Sequence, residues 1–155
     1  MKLDLHLSRS PGLPSRGIPR HASFQSWIEA TVLGTRRRRA TELSIRLVDA
    51  DEGRALNKRY RKRDYATNVL SFPSDLPLQP SLSLIGDLAI CVPVVVREAA
   101  EQNKPVRSHF AHMTVHGTLH LLGYDHELDT DAERMEALER KVLESFGIAD
   151  PYQVR

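Results

Sequence analysis

The sequence predicts one α+β domain in which a mixed sheet of about four strands is packed by helices. Three observations predict it: four segments up to Cys91 carry strand patterning, the chain beyond is helical, and the two do not alternate as regular βαβ units. Leu3, Leu5 and Leu7 alternate with Lys2, Asp4 and His6, as in a half-buried first strand. A loop rich in Pro, Gly and Arg covers Ser8 to Arg20. Phe24, Trp27, Ile28, Thr31 and Val32 then recur at helical spacing, with Gly34 as a stop. Leu43, Ile45 and Leu47 alternate with Glu42, Ser44 and Arg46 in a second strand, and Asp49 can cap a short helix from Asp51 to Tyr60. Thr67 to Phe72 is rich in β-formers and ends at Pro73, a third strand. A loop with prolines at 77 and 80 leads to a fourth strand over Leu84 to Cys91.

The remaining chain reads as three helices. One spans Val94 to Gln102. A second opens at Pro105, which suits a first turn, and runs to Leu122, where Gly123 supplies the left-handed residue that ends it. The third starts at a capping box, Thr130-Asp131-Ala132-Glu133, and lines Met135, Leu138, Val142 and Phe146 along one apolar face closed by Gly147. With no repeat and no linker, the 155 residues form a single unit, large enough to bury a core without disulfides.

Composition narrows the function. The one cysteine, Cys91, rules out an internal disulfide and a thiolate metal cage. The N-terminal alternation lacks the apolar run of a signal peptide, and no stretch approaches the ~20 apolar residues of a membrane span. A cytoplasmic protein is expected. Net charge is only +2, but the basic residues cluster: Arg36-Arg37-Arg38-Arg39 is one run and Lys58-Arg59-Tyr60-Arg61-Lys62-Arg63 a second. Such clusters bind polyanions by releasing counterions from phosphates, so nucleic acid is a candidate partner and solvated turns are the alternative.

The chemistry resides in His116-Gly117-Thr118-Leu119-His120-Leu121-Leu122-Gly123-Tyr124-Asp125-His126. His116 and His120 lie on one helix face, one turn apart, at the spacing two imidazoles need to share a zinc ion. After Gly123 the chain can fold back to bring His126 to the same ion. Three nitrogens leave one tetrahedral position open, the arrangement of a catalytic site. His112 lies one turn before His116 on the same face; a buried hydrogen-bonding role is expected, with ligation as the alternative. His6, His21 and His109 lack partner spacing. Zinc proteases of the H-E-x-x-H-x-x-G-x-x-H type share this ligand spacing, but their general base follows the first histidine, and here that position is Gly117. A zinc ion lowers the pKa of its water to about 7 without such a carboxylate. Phosphodiester cleavage then needs positive charge at the transition state, which the cluster around Arg61, with Arg59 and Arg63, can supply. Asp87 and Asp125 are candidates for orienting an imidazole, or for capping a strand and closing a turn.

The run from Ala111 to His126 closely resembles the signature of the bacterial rRNA maturation endoribonuclease family, YbeY. The resemblance extends to Leu56-Asn57-x-x-Tyr60-Arg61, to Thr67 through Pro73, to Gly86-Asp87-Leu88, to Met135 through Glu139 and to Gly147-x-x-Asp150-Pro151-Tyr152. These blocks run from about residue 40 onward; the first 35 carry little resemblance. It implies a metal-dependent endoribonuclease, specific for single strands, that acts in 16S rRNA 3′-end maturation and ribosome quality control on the small ribosomal subunit. It also implies one zinc ion on His116, His120 and His126, and Arg61 facing substrate beside it. Asn68 stands where many relatives have Asp, so it receives no acid–base role, and the arginines at 36–39 fall outside the signature as a surface feature adding RNA affinity. Two other readings stand beside the nuclease: a zinc protease or amidohydrolase, and a zinc-stabilised ribosome assembly factor without catalysis.

Overall fold

The computed structural model describes residues 2–74 and 83–153; the prolines at 77 and 80 lie outside this range. The element order is β1 (Leu3–Arg9), α1 (His21–Gly34), β2 (Thr41–Val48), α2 (Ala50–Arg61), β3 (Val69–Pro73), β4 (Leu84–Cys91), α3 (Val92–Glu101), α4 (Val106–Leu121) and α5 (Asp129–Glu144). The sheet order is β1-β2-β4-β3, with β1, β2 and β4 parallel and β3 antiparallel to β4. An α+β fold with a mixed four-stranded sheet is therefore what the sequence forms.

Strand alternation decides which face is covered. Leu43, Ile45 and Leu47 of β2, with Leu88 and Ile90 of β4, join a core completed by Phe24, Trp27 and Ile28 of α1, Phe110, Val115 and Leu119 of α4, and Met135 and Val142 of α5. The other face keeps Ser44, Arg46 and Asp87. Among the described residues only α2 crosses it, packing Leu56 on a small cluster of Val48, Cys91 and Val94. The Asp49 side chain accepts from the Glu52 N–H (2.8 Å) at the start of α2, as its position suggests. Acids in the first turn and Lys58, Arg59 and Arg61 in the last match the helix dipole.

Several boundaries differ from expectation, each for a local reason. Strand β3 begins at Val69 because the Asn68 side chain accepts the Val69 N–H (2.7 Å), a local bond that competes with the ladder. Helix α3 starts at Val92, directly after β4, with Pro93 in its first turn. The capping box at Thr130 does not form: α5 starts at Asp129 behind Leu128, with no side-chain cap. Phe146 lies past the end of α5 and is half exposed, while Ile148 donates to the Leu143 carbonyl (3.0 Å) beyond a left-handed Gly147. The arginine run at 36–39 partly braces its own turn, with Arg37 donating to Thr41 Oγ1 (2.8 Å) and to the Ala40 carbonyl (3.3 Å).

Gly86 is a point of close backbone approach in the sheet. It sits at φ +145° beside the register shift between β2 and β4, and a Cβ there would lie 2.4 Å from the Phe72 carbonyl oxygen. Backbone cannot retreat as a side-chain tip can. Gly86→Ala is expected to cost about 3 kcal/mol of stability, the sum of φ strain and overpacking, read as a lower denaturant midpoint at constant slope.

Candidate active site

The site is built at the C-terminal end of α4. His116 and His120 point from one face of the helix, and their rings meet edge to face with centroids 4.6 Å apart. The helix stops at Leu121, and Gly123 takes φ +96°, the reversal only glycine adopts cheaply. Tyr124 then donates to the Leu119 carbonyl (3.0 Å), which turns the chain back. That turn brings the His126 ring to 5.2 Å from His120 and 5.8 Å from His116. One ring nitrogen of each histidine lies within 4.8 Å of the others, and among the described residues no fourth His, Cys, Asp or Glu joins this group.

Hydrogen bonds assign the nitrogens. His116 Nδ1 faces Glu139 Oε1 at 2.7 Å, and His120 Nδ1 faces the Tyr124 carbonyl oxygen at 3.0 Å. A carboxylate and a carbonyl only accept, so both Nδ1 atoms carry the proton. In the neutral rings both Nε2 atoms are then lone-pair donors, and they face each other at 3.1 Å. Two lone pairs that close repel unless a cation lies between them. The separation is near the roughly 3.3 Å that two imidazole nitrogens span on a tetrahedral zinc ion. Desolvation, with His116 and His126 nearby, pushes the His120 pKa down and favours the neutral ring. The donor set therefore fits a divalent ion with a preference for nitrogen.

Behind His116 lies a residue that the histidine spacing does not reveal. Glu139 of α5 is 0% exposed and receives His116 Nδ1, His112 Nε2 (3.0 Å) and the Tyr152 hydroxyl. Burial alone would raise its pKa; the hydrogen bonds from His112, His116 and Tyr152 outweigh burial and hold it at about 2. It stays ionised and keeps His116 in the tautomer described. Its signal in the sequence is an acid on an apolar stripe, flanked by Met135 and Val142. His112, His116 and Glu139 also lie close enough to share an ion, but there the Nδ1 of His116 carries a proton and both oxygens of Glu139 already accept. His112 thus takes the buried hydrogen-bonding role. Asp87 and Asp125 orient no ring: Asp87 accepts from Ser44 Oγ, and Asp125 accepts the Glu127 N–H (3.3 Å) in a turn.

The histidines open into a cleft of about 490 Å³ lined by Arg61, Asn68, Ser71, Tyr124 and Asp125. Arg61 donates to the Ser71 carbonyl (2.7 Å) at the edge of β3 and lies 5.4 Å over the Phe72 ring. Arg59 and Arg63 do not line this cleft; Arg59 stacks over Tyr60 at 5.2 Å and Arg63 reaches the Tyr65 hydroxyl (3.4 Å). Asn68 Nδ2 donates to Glu98 Oε1 (3.1 Å), which also bonds His109 Nε2 (2.8 Å), so His109 is partnered after all. A Cβ at Gly117 would meet Leu88 Cδ2 at 2.8 Å and Val69 Cγ2 at 3.3 Å. The position occupied by a glutamate base in zinc proteases therefore faces the packed sheet.

A family model described as Endoribonuclease YbeY matches residues 19–147. An Endoribonuclease YbeY from Stenotrophomonas maltophilia (strain R551-3) is 54% identical over 156 residues, covering 98% of this chain and 94% of its own. One from Xylella fastidiosa (strain 9a5c) is 52% identical, covering 96% and 93%. The solution structure of TM1509 from Thermotoga maritima aligns with a TM-score of 0.57 over 97% of this chain and 99% of that one, a likeness of fold at 20% identity. The similarity to relatives thus reaches into the first 35 residues, where the motif blocks did not. With half-identical relatives along nearly its whole length and a family model over most of it, the chain belongs to the endoribonuclease YbeY family.

Proposed function

We propose that this chain is a zinc-dependent, single-strand-specific endoribonuclease acting in the cytoplasm on the small ribosomal subunit, in 16S rRNA 3′-end maturation and ribosome quality control. His116, His120 and His126 hold one zinc ion, and Arg61 binds the substrate phosphate, with Arg59 and Arg63 adding positive charge nearby. The observation that carries this reading is the pair of facing Nε2 lone pairs in a cleft that also holds a guanidinium. Once bound, the ion supplies Lewis acidity to a phosphodiester oxygen or to water near neutral pH.

The chain's own groups do the rest. Glu139 and the Tyr124 carbonyl hold the His116 and His120 ring planes, so these two rings are oriented before binding. Arg61 is held by Ser71 and Phe72 with donors left for a phosphate oxygen, and it offsets the charge that develops there. Gly117 argues against peptide hydrolysis by the protease mechanism, since a side chain there would run into Leu88 and Val69. No helix among the described residues is long and apolar enough to cross a membrane.

The test compares zinc-loaded and chelated protein on single-stranded RNA and on an unstructured peptide. Cleavage of the RNA alone, lost on chelation and restored by zinc, is expected; peptide cleavage, or RNA cleavage that survives chelation, overturns the reading. Arg61→Ala is expected to keep its zinc and lose about 10²-fold in kcat. Turnover within two-fold of the parent removes Arg61 from the site.

A further inference from the structure

Arg61 belongs to two clefts at once. On one side of β3 it lines the histidine cleft; on the other it lines a groove of about 760 Å³ between α2 and the uncovered face of the sheet. Strand alternation explains the division, since Ser71 turns its hydroxyl towards the Gly117 carbonyl (3.4 Å) while Phe72 turns to the opposite face. There the Phe72 ring meets Tyr60 edge to face at 5.2 Å, with Arg61 over Phe72 and Arg59 over Tyr60. Tyr60 is 49% exposed, and the groove continues along Leu56, Ser44, Arg46 and Asp87.

The charges of this groove exclude a phosphate from its floor. Arg46 is committed to Glu52 by a two-pronged ion pair, and Asp87 leaves a carboxylate there, tied to Ser44. What remains is an aromatic pair, Tyr60 half exposed and Phe72 partly buried, with a guanidinium carbon 5.2–5.4 Å from each ring centre, above a floor of neutral and acidic hydrogen-bonding groups. A phosphate belongs on the histidine side of Arg61, and a flat, uncharged, polar-edged ring belongs on this side. We infer that Tyr60 and Phe72 form a stacking shelf for an unpaired nucleobase next to the phosphate held at the histidine cleft, with Arg61 as the hinge between the two subsites. The inference rests on the nuclease reading for the identity of the strand, and it supplies a physical source for single-strand preference. A base can reach the shelf only when it is free of its own stack, as in loops and single strands, and aromatic and arginine planes are the surfaces on which proteins hold such bases.

Binding, measured apart from cleavage, tests the shelf. Fluorescence anisotropy with chelated protein compares a labelled single-stranded ribonucleotide dodecamer with an abasic ribose-phosphate dodecamer of equal charge. The parent chain is expected to prefer the base-bearing strand by roughly ten-fold, the scale of one base stacked on an aromatic side chain. Tyr60→Ala should abolish that preference and Tyr60→Phe should retain it; Tyr60 is exposed, and a circular dichroism melt confirms that both variants fold. The slope of affinity against salt should be unchanged in Tyr60→Ala but fall by about one in Arg61→Ala, since only the arginine meets phosphate. Equal binding of both strands by the parent, or a preference that survives Tyr60→Ala, overturns the shelf. RNA cleavage by the zinc-loaded parent is scored separately: a base preference without cleavage leaves the shelf and removes the nuclease, and cleavage without a base preference does the reverse.

Discussion

His116→Ala is expected to abolish zinc binding and RNA cleavage together. His116 does two things that no neighbour can replace. Its Nε2 faces that of His120 at 3.1 Å, and its Nδ1 is anchored on Glu139 at 2.7 Å. Without it, two rings remain, one of them on the exposed His126 that only the Gly123 turn brings close. Two imidazoles leave the ion mostly solvated, so the affinity loss should exceed the 10–100-fold that accompanies loss of an outer hydrogen-bond partner. Competition against a chromophoric chelator measures the affinity, and cleavage of a labelled single-stranded RNA measures the activity. The fold should survive, since the ring is only partly buried. A variant that still cleaves when metal-free sinks the proposed chemistry.

The second large effect is expected at Glu139, which is buried behind His116 and does not line the cleft. Glu139→Gln preserves shape but brings an amide NH₂ to a place where His112 Nε2 and the Tyr152 hydroxyl both donate. One end of the side chain is then mismatched inside the core, at a cost of about 1–3 kcal/mol. His116 also loses the charged acceptor that fixes its tautomer, so zinc affinity should fall by about 10–100-fold while the ligand count stays the same. The sign of the pH dependence follows from the direction of the shift. The folded-state pKa of Glu139 is about 2, below the ordinary 4.5. Its contribution is therefore complete above pH 4.5 and lost as pH falls towards 2, on the order of 3 kcal/mol in all. Denaturant melts of metal-free protein at pH 7 and pH 3 should show the larger part of that loss, about 2 kcal/mol, in the parent and a much smaller one in the variant. Equal acid sensitivity in both would show that Glu139 does not carry the charge.

Much of this was legible in the chain because the signals are local. The alternation of Leu43, Ile45 and Leu47 and the spacing of His116 and His120 each follow from one element's own period, and Gly123 marks a turn that few other residues make. What failed was local signal overruled by local competition or by packing. Thr67 and Asn68 have strand character and a side chain that bonds its neighbour's backbone instead, and the box at Thr130 is bypassed by a helix whose N-cap lies two residues earlier, at Leu128. Glu139 was out of reach for another reason. Its partners on α4 and in the C-terminal segment lie 13 to 27 residues away in sequence, and no periodicity relates them.

By itself the sequence determined the type of fold, the donor atoms available for a metal and the turn that lets a third histidine return. Only the tertiary structure decided which nitrogens of His116 and His120 face the cleft, that a buried carboxylate and a backbone carbonyl set these choices, and that Arg61 stands between the histidine cleft and an aromatic groove. The reason is physical: ring periodicity belongs to a single helix, whereas a tautomer or a cleft wall is set by contacts between elements that meet only when the core closes.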